Sequence, residues 1–308
     1  MSVDPQTLSK VRQHFGLPSD ALIIKDWHVI RAIDALAELD VAPLRLVFGG
    51  GTALARAYKL IHRMSEDVDF KIAPSVDALP VSKAALHRQL GELRNKVSTA
   101  LAMAGFALDT SMPHTRNERR YMLYHLPYEG EDATATGLRT TIQVELTYAP
   151  LRLDPVRMPV ASFVAEALQR EPEVRSVECV SLIETAAEKL VALTRRTAMR
   201  IAGLSRDDDH ALVRHIYDLH ILRAHYEPLT VTTLASDIIR RDAEIFANQY
   251  SAYREDPISE TRKAVAALEA DPVYAERYQQ FHANMVYRDP VEFAQALDTL
   301  RELTSSLK

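Results

Sequence analysis

Asp67 and Asp69 flank Val68 in the run Asp67-Val68-Asp69-Phe70, and this spacing is the sharpest chemical signal in the chain. On an extended strand, residues i and i+2 share a face. Both carboxylates therefore point the same way, while Val68 and Phe70 turn to the opposite side. Paired carboxylates are hard oxygen donors suited to magnesium. A third acid fits the same plan: in Thr141-Ile142-Gln143-Val144-Glu145-Leu146-Thr147, apolar residues alternate with polar ones. Glu145 then lies on the polar face of a strand able to neighbour the first. Three carboxylates around two magnesium ions suit in-line attack at an α-phosphate, one ion activating the attacking hydroxyl and the other neutralising the leaving pyrophosphate. Upstream, Gly50-Gly51-Thr52 closes a short apolar run, residues 44–48, and precedes helical periodicity. Backbone N–H groups at such a turn meet the positive end of a helix dipole, which suits a phosphate. Glycine permits close approach, and the Thr52 hydroxyl offers one more hydrogen bond. Singly, each piece has an ordinary reading as a strand-end acid pair, an exposed strand glutamate or a turn. Their order along the chain raises the chemistry above those readings.

The elements needed to position these residues follow from periodicity. A helical opening runs to about residue 39, with apolar residues at helical spacing over 22–39. Strand 44–48, helix 52–61, strand 67–72 and helix 83–104 come next, then strand-like runs at 106–110, 120–126 and 138–148. This order combines a helix-connected pair with adjacent strands, so a mixed sheet flanked by helices is expected. The second half differs. Ser181-Leu182-Ile183-Glu184 is a capping box opening a helix to about residue 200. A polar acidic loop at 205–210 separates it from a helix through 225, and Asp289-Pro290-Val291-Glu292 is expected to open the last helix. The reading is an α+β chain with a sheet domain at 1–155 and a mainly helical domain at 156–308, divided in the proline-bearing stretch 150–159. On the 181–200 helix, Lys189, Arg196 and Arg200 are spaced by seven and four and form one basic stripe, either a solvated face or one that meets a triphosphate.

Bulk properties narrow the function classes. With 308 residues there is room for about two domains. The single cysteine, Cys179, excludes a disulfide framework and a cysteine-based zinc site, and its apolar surroundings read as those of a buried, inert thiol. No stretch reaches the roughly 18 apolar residues of a membrane span, and the N-terminus lacks signal-peptide features, so a cytoplasmic location is expected. A net charge of −5 supplies no global field for nucleic acid. Only local clusters remain: Arg116, Arg119 and Arg120; Arg195, Arg196 and Arg200; Arg240 and Arg241. The run Asp207-Asp208-Asp209-His210, with His215, His220 and His225 beyond, scatters around a helix and reads as a solvated acidic loop. Neither a P-loop nor a dinucleotide fingerprint occurs.

Gly50-Gly51-Thr52-Ala53-Leu54, followed by Arg63-Met64-Ser65-Glu66-Asp67-Val68-Asp69-Phe70, resembles the AbiEii/AbiGii family of nucleotidyltransferase toxins. These are DNA-polymerase-β-like enzymes of bacterial toxin–antitoxin pairs, the MenT toxins among them. The resemblance continues in Lys25-Asp26-Trp27, in Glu188-Lys189-Leu190-Val191-Ala192-Leu193 with Arg196, in Arg214-His215-Ile216-Tyr217-Asp218-Leu219, and in Phe281, Tyr287 and Phe293. It implies a polymerase-β-like mixed sheet and a helical domain completing the active-site cleft. It also implies catalytic roles for Asp67, Asp69, Lys189 and Asp218, the last orienting either Lys189 or the attacking hydroxyl. Gly50, Gly51, Thr52, Arg63, Ser65, Lys189 and Arg196 are implied to bind nucleotide, and Asp67, Asp69 and Glu145 to hold Mg2+. The implied function is a growth-inhibiting toxin that moves a nucleotide from an NTP to the 3′ end of tRNA and so blocks translation. A neighbouring gene would encode its antitoxin, without need of a stable complex. His215 departs from the family's commoner aspartate at that position. A nucleotidyltransferase acting on protein or a small molecule keeps every metal-site residue. A non-catalytic nucleotide-binding module is disfavoured by the retention of both Asp67 and Asp69.

Overall fold

The computed structural model describes residues 3–108, 114–128, 138–205 and 208–307, and the chain divides into two compact units, Met1–Val180 and Ser181–Lys308. In the first unit, Asp4 caps helix α1 (Pro5–Phe15) and Ser19 caps α2 (Asp20–Ala37), each accepting first-turn backbone N–H groups. Strand β1 (Leu44–Gly49) runs into α3 (Gly50–Thr52), which continues as a π-helical turn over Ala53–Ala57. Then come β2 (Asp67–Pro74), α4 (Lys83–Met103), β3 (His114–Arg116), β4 (Tyr121–Pro127) and β5 (Thr141–Tyr148). The unit closes with β6 (Val156–Val160), α5 (Phe163–Ala167) and β7 (Val174–Cys179). Among the described residues, seven strands form one mixed sheet in the order β3-β4-β5-β2-β1-β7-β6. The β2–β5 and β1–β7 pairs are parallel and the others antiparallel.

Alternation in the central strands decides which face is buried. Val68, Phe70 and Ile72 of β2 and Ile142, Val144 and Leu146 of β5 enter a core that includes Val29 and Ile33 of α2 and Leu90, Leu93 and Val97 of α4. Each such side chain contributes about 1.5–3 kcal/mol on burial. A one-residue slip of β2 would turn the apolar set outward and its acids inward, so the register is strongly specified. Cys179 is fully buried in the same core, and burial pushes its thiol up to about 12.

Three local expectations change in this unit. The sheet unit extends to Val180, past the expected division at residue 155, because β6 and β7 add to the sheet beside β1, with Val180 N–H donating to Phe48 O at 2.8 Å. Pro155 and Pro159, which read as linker residues, lie at the edge strand β6, where a missing N–H breaks no inner ladder. The helix expected over 52–61 stops at Ala57, since Tyr58 N–H closes a π-type bond to Ala53 O and Lys59 takes a left-handed φ of 56°. Of the strand expected at 106–110, residues 106–108 are not in a strand, and Asp109 and Thr110 lie outside the described residues.

The second unit is helical among its described residues: α6 (Leu182–Ile201), α7 (Arg214–Leu222), α8 (Pro228–Ile245), α9 (Ser251–Glu255), α10 (Pro257–Ala270), α11 (Pro272–Met285) and α12 (Phe293–Ser305). Helix α6 is central, packing on α7, α8 and α10. It starts as expected, with Ser181 Oγ accepting from Glu184 N–H at 3.3 Å. The last helix does not. Asp289 adopts a left-handed φ of 53°, so the chain turns there and α12 begins after Glu292. No helix among the described residues is long and apolar enough to cross a membrane.

Candidate active site

The carboxylates of the first unit stand on adjacent strands in one register. Asp69 pairs with Gly49 of β1 on one side and with Glu145 of β5 on the other, while Asp67 lies opposite Gln143. Because opposed residues of paired strands point to the same face, and Asp67 lies two residues from Asp69, all three acids share the face turned away from the core. Gly50 brings its backbone directly against this face. A Cβ added there would lie 1.9 Å from Asp69 Oδ2, and the residue has a φ of 70°. Gly51 is equally confined, since its missing Cβ would fall 2.5 Å from Arg63 Nη2 and 2.8 Å from Ser65 Oγ. The fold thus gathers Gly50, Gly51, Arg63, Ser65 and Asp69 at the end of β1.

Thr52 behaves differently from its expected outward role. It is buried, and its hydroxyl donates to the backbone carbonyl of Asp67. It locks α3 to the start of β2 instead of offering a hydrogen bond outward. Among the described residues, no group of three or more His, Cys, Asp or Glu side chains is arranged to hold a metal ion. Asp67 Oδ1 accepts from Arg139 Nη1 at 2.5 Å, and Glu145 Oε2 accepts from the Tyr121 hydroxyl at 3.0 Å. Three like charges on one face repel, and a cation on one and a hydroxyl donor on another ease that repulsion. Burial, reinforced by the Glu145 charge, raises the Tyr121 phenol far above its ordinary value, so it remains a donor at neutral pH. The donor set itself is all oxygen on one face, with glycine backbone against it, and suits a hard divalent cation.

Several positioning residues were not singled out for a role by sequence reasoning. Lys25 is fully buried on α2 and donates to Glu66, to Arg139 O at 2.6 Å and to Thr141 O at 3.3 Å. Glu66 in turn accepts from Arg139 N–H at 2.8 Å. This network ties α2 to the residue before Asp67 and to the entry of β5. Burial lowers the Lys25 ammonium, and Glu66 opposes that shift. The neighbouring Asp26 is pushed up to about 6 by burial, against the pull of Arg56, whose Nε lies 2.6 Å away. The legible signal was two adjacent charges inside an apolar helix. Their partners, far along the chain, were not legible.

In the second unit, Lys189 of α6 and Asp218 of α7 form a buried pair, Nζ to Oδ2 2.7 Å, with Lys189 7% exposed and Asp218 0%. His215 Nδ1 lies 3.5 Å from the same ammonium. Burial, then the charges of Lys189 and Arg214, hold His215 well below its ordinary value, so it is neutral at physiological pH. The basic stripe expected on this helix is therefore divided. Lys189 turns into the helical core, whereas Arg196 pairs with Asp209 at 3.0 Å and Arg200 with Asp208 at 3.3 Å. The acidic loop read as solvated is ion-paired through Asp208 and Asp209, and Asp207 lies outside the described residues.

The Gly50 geometry yields a direct expectation. Gly50→Ala should lower the thermal unfolding midpoint, because a left-handed φ costs an L-residue about 1–2 kcal/mol and the new methyl must displace the Asp69 carboxylate. Circular dichroism melting checks this. An unchanged midpoint would mean that β1 and β2 separate freely at this point.

Comparison with known proteins places these observations. The family model described as "Nucleotidyl transferase AbiEii toxin, Type IV TA system" matches residues 32–299. Among solved structures, the chain is similar to MenT4, a nucleotidyltransferase toxin from Mycobacterium tuberculosis H37Rv, at 17% identity and a TM-score of 0.49, covering 98% of this chain and 99% of that one. No curated protein matches.

Proposed function

The chain belongs to the AbiEii family of nucleotidyl transferase toxins of type IV toxin–antitoxin systems, and from this premise we propose that it transfers a nucleotide from an NTP to the 3′ end of tRNA with the help of Mg2+. The observation that carries the reading is the in-register pair Asp69–Glu145, with Asp67 on the same face and the Gly50 backbone against Asp69. Asp67, Asp69 and Glu145 would hold two magnesium ions. Bound there, the ions would lower the pKa of the acceptor hydroxyl and neutralise charge on the pyrophosphate.

The chain's own groups have separable tasks. Gly50 and Gly51 admit the nucleotide phosphates close to backbone N–H groups, with the Arg63 guanidinium and Ser65 hydroxyl beside Gly51. Arg139 and Tyr121 hold Asp67 and Glu145 in place until the cations bind. The acceptor oxygen attacks the α-phosphorus, the bond to the β-phosphate oxygen breaks, and pyrophosphate leaves. The resemblance to the family assigns Lys189 to phosphate charge, with Asp218 bonded to its ammonium. Asp218 thereby takes the orienting role toward lysine. Such a reaction draws on cytoplasmic NTP and tRNA, and the antitoxin acts on it without a lasting complex.

The test is to incubate the full chain with each labelled NTP and total cellular RNA. One label should enter the tRNA band, and chelation of divalent metal should abolish it. Arg119, the last of three left-handed residues at 117–119, and Arg120, just before β4, are the basic pair assigned to the tRNA backbone. Arg119→Glu with Arg120→Glu should reduce labelling and flatten its salt dependence, because fewer counterions are released. Labelling that survives chelation would overturn the metal reading. If no RNA is labelled with any NTP, the tRNA assignment falls and protein or small-molecule acceptors replace it.

A further inference from the structure

The second unit contains a cavity of about 710 Å³, lined by four arginines, Arg195, Arg196, Arg200 and Arg277, and two carboxylates, Asp208 and Asp209. Among the described lining residues, four positive and two negative groups give +2, in a chain whose net charge is −5. The volume falls in the range of small-molecule pockets, roughly 300–1,000 Å³.

Asp208 occupies the centre of the charge pattern. Both terminal nitrogens of Arg277 donate to its two oxygens, Nη1 at 2.8 Å and Nη2 closer. Arg200 Nε lies 3.3 Å from the same carboxylate, and His210 Nε2 3.6 Å. A guanidinium fork closed on a carboxylate, with a second arginine at its side, is also the geometry that recognises a phosphate. These partners, the Arg277 hydrogen bond foremost, hold the Asp208 carboxyl below its usual range.

The carboxylate does not satisfy the site. Among the described residues, Arg277 Nε and the Tyr274 hydroxyl are both buried without a hydrogen-bond partner, on residues 9% and 1% exposed. The two residues are three apart on α11, so they share a helix face, and both line the cavity. A buried polar group left unpaired is costly, so both groups favour a ligand that supplies an acceptor. Arg200 stacks over the Tyr274 ring at 5.0 Å, which fixes the orientation of its guanidinium. A carboxylate brings two oxygens and one charge. A phosphate brings three acceptor oxygens and nearly twice the charge.

We propose that this cavity is a phosphate-binding site, and that Asp208 occupies it in the free protein as an internal stand-in that the phosphate displaces. The phosphate would take over the fork of Arg277 and the side of Arg200, and its third oxygen would satisfy Arg277 Nε or the Tyr274 hydroxyl. The proposal does not depend on the metal-site reading, since every residue it uses lies in the second unit.

The test uses full-length Asp69→Asn protein in chelator, so that binding at the catalytic face is suppressed. Inorganic pyrophosphate and a short single-stranded RNA without terminal phosphates are titrated separately by calorimetry. Asp208→Asn removes the competing charge while keeping its shape and should tighten binding by about tenfold or more. Arg277→Gln and Arg200→Gln should each weaken it by a similar factor. The Arg200 side chain is 29% exposed, so its replacement remains decisive even if loss of Arg277 unfolds the helices. Tight pyrophosphate with weak RNA identifies a free polyphosphate as the ligand, and the reverse identifies a nucleic-acid backbone. If neither probe binds wild-type or Asp208→Asn cavities, or if Asp208→Asn binds no tighter, the proposal is overturned. An unchanged affinity in Arg200→Gln overturns it equally.

Discussion

Asp69→Asn should lower nucleotide transfer by about 100-fold or more, beyond the 10–100-fold typical of losing a supporting partner of a metal ligand, and should leave the fold intact. Asp69 is held on both sides: Glu145 of β5 faces it in register, and Gly50 leaves no room for a side chain between its backbone and Oδ2. Asparagine keeps the shape, so the approach of Gly50 is preserved. It removes one of three like charges on the same face, and repulsion between opposed acids in neighbouring strands falls accordingly. The thermal midpoint should therefore stay within a few degrees or rise. Labelled-nucleotide transfer and melting of the same preparation make the measurement. A fully active Asp69→Asn protein would remove the basis for placing magnesium on this face.

Lys189→Ala carries the other large effect, and here structure changes the expectation. As part of a basic stripe, a truncated lysine would leave folding almost untouched. The ammonium is instead 7% exposed and bonded to an Asp218 that is 0% exposed. Removing it strands a carboxylate in the helical core, which costs about 3–5 kcal/mol. For a unit of this size that lowers the midpoint by about 10 °C or more. Activity should be lost in the same variant, so the single change cannot separate the roles. Lys189→Met combined with Asp218→Leu can, because replacing both charges by apolar groups of similar volume is often neutral or stabilising. The double variant should recover most of the midpoint and none of the transfer. If it transfers nucleotide, Lys189 and Asp218 are a structural pair only.

The candidate site was legible wherever its logic was local. Asp67 and Asp69 alternate with Val68 and Phe70, and Glu145 alternates with Val144 and Leu146, so period two fixes their common face before any pairing is known. The glycines at 50 and 51 announce close backbone approach by type alone. Boundaries were less legible. Pro155 and Pro159 resemble a linker to any reader of composition, yet an edge strand tolerates them, and the sheet unit runs on to Val180. The cap at Asp289 failed because its backbone turns left-handed, a choice made by what surrounds it and not by its neighbours in sequence.

By itself, then, the sequence determined the central strands β1, β2, β4 and β5, the acid face, the helices from residue 181 onward and the family. Tertiary structure alone decided the fate of individual charges. Lys25 meets Glu66 and the carbonyls of Arg139 and Thr141, Lys189 meets Asp218, and Asp208 meets Arg277, each across a long stretch of chain. The physical reason is that periodicity is a property of neighbours, whereas a charge is buried only if a distant partner makes its desolvation tolerable. A lysine on a polar stripe and a lysine in a core look alike in sequence until that partner is in place.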